Sequence, residues 1–299
     1  MNAGQKKYYN PYDFMNPIRD PMFFAGRHAE LEEIEYYLKL SKGEKPKYFH
    51  LALVGQRTAG KTSFLNIIEQ MANDLRCLTV KIPLNKEAAQ NDALFFKEVF
   101  DGIITAGAER GLYGGTTGTV YRAYRKVVDR LDANAEAKMP FLHGSAYIGF
   151  KKRKSRGIPQ NVLLHDLKEI HKEARKRRIQ TIVLLFDECE LLAQSEVLLQ
   201  KIRNVFTEVE GYVLVVSGPE NTWPTFSDIF SPVPMFFKKI DVENFKNVKE
   251  TEECLLKPIA DKEKRAFDRA CIADIHAIAN GTPYEINLIA HHMYRKWKD

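Results

Sequence analysis

Cysteine is scarce and scattered. Cys77, Cys189, Cys254 and Cys271 form no C-x-x-C pair and no Cys/His ligand spacing, which argues against a thiolate zinc site or a redox dithiol and for reduced, packed thiols. Long apolar runs are missing too. No stretch approaches the ~20 residues that span a bilayer, and the opening Met1-Asn-Ala-Gly-Gln-Lys-Lys-Tyr-Tyr lacks the apolar centre of a signal peptide. Internal repeats and low-complexity tracts are absent, so solenoid, fibrous and disordered classes are excluded. Nor is there a strong charge imbalance. With 45 basic and 39 acidic residues the net charge is +6, which permits contact with nucleic acid without arguing for it. The expectation is a soluble, cytoplasmic protein with no membrane partner.

What remains is an ordinary globular composition over 299 residues, 44% hydrophobic and 28% charged, enough for one large α/β domain and a smaller one. Within it, Leu51-Ala-Leu-Val feeds Gly55-x-x-x-x-Gly60-Lys61-Thr62, and a helical pattern follows at once. Strand, glycine loop and helix in that order give the phosphate-binding loop its meaning. Glycines let main-chain N–H groups turn inward around phosphate oxygens, and the helix N-terminus adds partial positive charge. Gly55, Gln56, Arg57, Thr58, Ala59, Gly60, Lys61, Thr62 and Ser63 are the candidate contacts. Lys61 would reach the β- and γ-phosphates of a nucleoside triphosphate, and the Thr62 hydroxyl would ligate Mg²⁺.

Residues 1–24 are rich in Pro, Asn and aromatics and read as an extended arm laid on the domain. A helix then carries Leu31, Ile34, Tyr37 and Leu38 on one face. Strands are expected at 48–54, at 77–83, at 181–186, at 212–216 and near 236–240. The least orderly stretch, about 84–160, offers helices near 92–109 and 118–133 and a hairpin around 146–150. A helix is expected from about Val162 to Arg178, and from 243 the pattern is wholly helical. The fold class that follows is α/β: a three-layer, doubly wound parallel sheet of about five strands, of the P-loop NTPase kind, with a small C-terminal helical lid. The domains are an arm at 1–24, a core at 25–242 containing the 84–160 insertion, and a lid at 243–299.

The apolar strand Thr181-Ile-Val-Leu-Leu-Phe ends in Asp187-Glu188. Side chains alternate along a strand, so the two acids take different roles. Asp187 would hold Mg²⁺ opposite Thr62, and Glu188 would orient or deprotonate the attacking water. An acid pair here favours hydrolysis over transfer to an acceptor. The strand at 212–216 should lie between those leading to Lys61 and Asp187, so Ser217 or Asn221 at its tip could touch the γ-phosphate. Alternatively Ser217-Gly-Pro is only a turn and Asn221 a helix cap. The run Lys151-Lys-Arg-Lys-Ser-Arg156 could contact nucleic-acid phosphates or be a solvated turn. Arg175-Lys-Arg-Arg178 complements a helix dipole. His291 and His292, adjacent on a helix, face different directions and read as a satisfied pair rather than metal ligands.

Together these motifs resemble the AAA+/STAND group of P-loop ATPases, especially the bacterial and archaeal branch related to Orc1/Cdc6-type modules. Phe24-x-Gly26-Arg27-x-x-Glu30-Leu31 looks like the signature preceding the core. Asn280-Gly281-Thr-Pro283-Tyr284 looks like the Gly-x-Pro segment of the lid. The resemblance implies that Phe24, Gly281 and Pro283 line an adenine pocket, and that ATP is the nucleotide. It also implies a conformational switch of the signalling or defence type that acts on a protein partner or effector or self-associates on ATP binding, or else a DNA-associated replication or remodelling factor. No arginine occurs between Arg203 and Arg265, where ring-forming relatives carry one that reaches a neighbour's γ-phosphate. Slow or partner-dependent hydrolysis is therefore expected. The chain stops after its last helix with no winged helix, as a bare ATPase module or a piece of something longer would.

Overall fold

The computed structural model describes residues 10–112 and 158–298. The helix expected at 118–133, the hairpin near 146–150 and the basic run Lys151–Arg156 lie outside the described residues. The chain divides into two compact units: Met1–Glu33, Val54–Ile68 and Ile240–Asp299 form one, and Ile34–Leu53 with Glu69–Lys239 form the other. This grouping puts the glycine loop with the arm and the helical tail.

The second unit is built on the sheet. Five strands, β1 (His50–Val54), β2 (Leu78–Ile82), β3 (Ile182–Phe186), β4 (Tyr212–Gly218) and β5 (Phe237–Asp241), run parallel in the order β2-β3-β4-β1-β5. β1, β3 and β4 are buried along their whole length, which is why they appear in sequence as unbroken apolar runs rather than alternating ones. The β3–β4 register pairs Ile182 with Tyr212 and Phe186 with Val216, so Asp187 and Ser217 follow at matching heights. β4 lies between β3 and β1, as the sequence implied. β5 starts one residue later than expected because Val233–Phe236 closes a short helical turn.

The helices of this unit are α3 (Lys86–Gln90), α4 (Asp92–Glu109), α5 (Gln160–Lys176), α6 (Glu196–Glu208), α7 (Thr222–Ile229) and α8 (Val233–Phe236), preceded by α1 (His28–Leu40) and α2 (Lys61–Asp74), which enter it from the first unit. Asn91 starts α4 by accepting the amides of Ala93 and Leu94. Phe95, Phe96 and Phe100 are fully buried on α4, and the Phe95 ring stacks on Phe186 with centroids 5.7 Å apart. A Cβ at Gly102 would stand 2.6 Å from Val80 Cγ1, so the glycine lets α4 lie directly on β2.

The first unit has its own core. Helices α9 (Val248–Leu256), α10 (Arg269–Ile278) and α11 (Pro283–Lys298) bury Leu255, Ile272, Ile275, Ile286 and Tyr294 around Tyr12 of the arm. The Tyr12 hydroxyl donates to the Leu255 carbonyl, and its ring meets Phe267 and Tyr294 edge-on. Among the described residues no helix is long and apolar enough to cross a membrane.

Candidate functional site

β1 delivers the chain into the glycine loop at a point with no room for a side chain. The Val242 amide donates to Val54 O at 2.7 Å, and a Cβ on Gly55 would stand 2.0 Å from Val242 O. The loop then turns through an Ala59 N–H to Gln56 O bond of 3.2 Å. At Gly60 it adopts φ +84 with nothing within 4 Å of where a Cβ would sit. Glycine serves opposite needs at the two positions, close approach at Gly55 and left-handed backbone at Gly60. α2 starts at Lys61, whose side chain folds back so that Nζ donates to Gly55 O at 2.9 Å and Gln56 O at 2.7 Å. Lys61 as a whole is only 9% exposed, and its positive charge sits inside the curve of the loop.

Residues Arg57 to Ser63 line a cavity of about 250 Å³, near the lower end of small-molecule sites. Its other walls come from the arm and the tail: Phe14 and Ile18, Phe24, then Pro283 and Tyr284. Thus Phe24 and Pro283 face the same cavity as the loop. Gly281 does not line it. At φ +66, Gly281 ends α10, and a Cβ there would lie 2.2 Å from Phe245 O. The arm is fastened to α2 by the Ile18 amide, which donates to Ser63 Oγ at 3.0 Å, and by Asn66 Nδ2, which donates to Ile18 O at 2.8 Å. Phe24 packs on Phe64 with centroids 5.5 Å apart, and the Phe14 ring meets Tyr284 and His291 edge-on. His291 Nδ1 bonds the Tyr12 carbonyl at 2.7 Å, so this histidine fixes the arm.

The acids lie at the end of β3. Asp187 Oδ1 accepts from the Ser217 hydroxyl and, at 3.0 Å, from the Glu188 amide. Glu188 is exposed and held at φ 53, ψ 43, a left-handed conformation that costs a side-chain-bearing residue about 1–2 kcal/mol. The strand therefore breaks sharply after Asp187, and the two carboxylates part company more abruptly than strand alternation requires. Gly218 admits the 3₁₀ turn that follows: a Cβ there would stand 2.7 Å from Cys189 Sγ. Asn221 is exposed at the start of α7 and makes no side-chain cap bond.

The donors fit a nucleotide. Main-chain amides at a helix N-terminus, a buried ammonium and the hydroxyls of Thr62 and Ser63 suit phosphate, whereas Phe14, Phe24 and Pro283 offer flat apolar surface to a base. Among the described residues no group of three or more His, Cys, Asp or Glu is placed to hold a metal ion. Mg²⁺ in phosphate sites needs only one or two protein ligands beside phosphate oxygens and water, and the Thr62 hydroxyl is an oxygen donor of that kind beside the loop. The sequence reading missed Phe14, Ile18, Asn66 and Tyr284. The only signal for them was the aromatic and proline density of the arm and of the Gly-x-Pro segment.

No family model matches this chain, and no curated protein matches it. Solved structures do. A Walker-type ATPase of Pyrococcus abyssi is similar over 96% of this chain and 72% of its own, with a TM-score of 0.56 and 15% identity. The Orc2 protein of Aeropyrum pernix, in ADPNP–ADP complexes, is similar over 98% of this chain and 66% of its own, with a TM-score of 0.57 and 14% identity. Its ADP form gives 0.57 at 12% identity, over 96% and 70%. At these identities the likeness shows the fold: the chain has the three-layer P-loop NTPase architecture with a helical C-terminal region.

Proposed function

We propose that this chain is an ATPase of the AAA+/STAND group, which binds ATP with Mg²⁺ and hydrolyses it slowly or on meeting a partner. The observation that carries the reading is the single cavity walled by the phosphate loop, the arm and the start of α11, with a buried lysine ammonium on one side and aromatic rings on the other. Lys61 holds the β- and γ-phosphates, assisted by the loop amides of residues 56–62. Phe24 and Pro283 flank adenine, and Gly281 lets the Gly-x-Pro segment approach the Phe245 main chain. Mg²⁺, when bound, supplies positive charge against the phosphate oxygens; the Thr62 hydroxyl and the Asp187 carboxylate are assigned to hold it. Glu188 takes a proton from the attacking water while the bond from the γ-phosphorus to the bridging oxygen breaks, giving ADP and inorganic phosphate. Ser217 acts through Asp187, and Asn221 stays a candidate contact to the γ-phosphate. Because the cavity draws walls from the arm and the tail as well as the loop, ATP and ADP would favour different closures, which is the basis of a switch.

Two substitutions test this. Lys61→Ala should abolish ATP binding in calorimetry, whereas Glu188→Gln should bind ATP and lose turnover. Wild-type hydrolysis by Glu188→Gln refutes the role of that carboxylate. Binding to immobilised Glu188→Gln protein, with and without ATP, would reveal a protein partner or self-association.

A DNA-associated ATPase is the second reading, which the motif resemblance to Orc1/Cdc6-type modules allows and basic side chains on α5 favour. There Lys168, Lys172, Arg175 and Lys176 line a shallow cavity of about 580 Å³ together with Glu208 and Glu210. It requires duplex binding that weakens steeply with salt and that falls when Lys151–Arg156 is neutralised. Salt-independent or absent binding removes it.

A further inference from the structure

The turn before α1 contains a cation that the scheme above does not use. Arg27 is 4% exposed, and its Nη2 donates to Ala59 O at 2.7 Å and to Glu243 O at 2.6 Å. A terminal guanidinium nitrogen carries two hydrogens, and both are spent on main-chain carbonyls. The guanidinium also lies 5.8 Å from the centre of the Phe245 ring. Its backbone is left-handed at φ 60, next to Gly26 at φ 65, a conformation that costs a side-chain-bearing residue about 1–2 kcal/mol. The flanking residues are fastened to α9. Gly26 N–H donates to Glu253 Oε2 at 3.0 Å, His28 Nε2 bonds the same oxygen at 2.8 Å, and Lys257 Nζ donates to Phe24 O at 2.6 Å. Burial lowers the Arg27 pKa while the Glu30, Glu250 and Glu243 carboxylates oppose the shift.

We propose that Arg27 is a positioning residue for the phosphate loop: it ties the Ala59 carbonyl to the segment entering the tail and thereby aims the Gly60 amide. Ala59 C=O and Gly60 N–H belong to one planar trans peptide and point in opposite directions. Fixing the carbonyl on Arg27 fixes the amide on the other side, where a phosphate oxygen would accept it. Gly60, with open space around it and free φ, cannot hold that orientation by itself. The same tie carries any displacement of Glu243 to the loop. Lysine would not replace arginine here: an ammonium has hydrogens enough for both carbonyls, but it is more strongly hydrated, so its burial costs more, and it has no flat face to lay on the Phe245 ring.

This inference rests on the ATP reading for its phosphate half, and its test separates the two. In Arg27→Lys, ATP affinity should fall about tenfold or more while adenosine affinity stays unchanged, both by calorimetry. Amide hydrogen exchange at residues 57–62 should accelerate without ligand. If ATP and adenosine weaken together, or if exchange and ATP affinity both match wild type, Arg27 does not position the loop. Should Arg27→Lys fail to fold, Phe245→Leu, which leaves the guanidinium but removes the ring beneath it, must still accelerate loop exchange. The exchange comparison needs no nucleotide, so it decides on Arg27 even if wild-type protein ignores ATP.

Discussion

The Ser217 hydroxyl donates its hydrogen to Asp187 Oδ1, joining the tips of the neighbouring strands β4 and β3. Ser217 is fully buried, and the acceptor is a carboxylate, so the bond is of the charge-assisted kind. Ser217→Ala should cost about 1–2 kcal/mol of stability in urea unfolding. It should also lower turnover at limiting Mg²⁺ more than at saturating Mg²⁺, because Asp187 loses the partner that orients it. Unchanged stability together with unchanged Mg²⁺ dependence would mean the bond does not matter.

Under the proposed role, Glu188 would set activity against stability. Its left-handed backbone suits glycine better than glutamate, so Glu188→Gly should stabilise the protein by about 1 kcal/mol while removing hydrolysis. A melting temperature that falls instead would show that the carboxylate makes a stabilising contact larger than the backbone cost.

The two loop glycines should respond differently to one methyl group. Gly55→Ala collides with Val242 O and should cost about 3 kcal/mol or more. Gly60→Ala meets open space and pays only for its positive φ, about 1 kcal/mol. Thermal melts of the two variants that shift equally would contradict the packing described.

His50 makes the sheet unit sensitive to acid. Desolvation lowers its pKa to about 4, opposed by the Phe206 carbonyl. The buried ring accepts the Leu214 amide at Nδ1 (3.0 Å) and meets Phe206 O with Nε2 (3.3 Å), the neutral tautomer. Its folded pKa lies below the unfolded value of about 6.5, so the unfolded chain binds the extra proton as pH falls. Stability should be intact above pH 6.5 and decline by up to about 3 kcal/mol towards pH 4. His50→Asn should show a shallower decline in urea midpoints between pH 7 and 4.5, and parallel curves would refute the assignment.

The sequence disclosed the parts whose physics is local. β1, β3 and β4 were visible as short apolar runs because both faces of a parallel sheet are covered, and the helical pattern near 92–109 corresponds to α4, whose start Asn91 caps. Gly55–Thr62 and Asp187-Glu188 stood out because each motif directly follows an apolar run. What long-range packing decides was not legible. Nothing in an arginine's neighbours says that it will be buried against Ala59 O and Glu243 O. Tyr12 looked like one aromatic among several in a proline-rich arm, yet it anchors the tail core. The αL turn at Glu188 also escaped notice, since local propensity gives glutamate no reason to adopt it.

Tyr12 has a consequence for biosynthesis. Its burial partners Leu255, Phe267 and Tyr294 leave the ribosome long after it does, whereas β2, β3 and β4 with their helices are already complete by residue 229. The sheet can therefore begin to consolidate during translation. The arm must wait, its aromatic side chains without their core, until Tyr294 of α11 has been made.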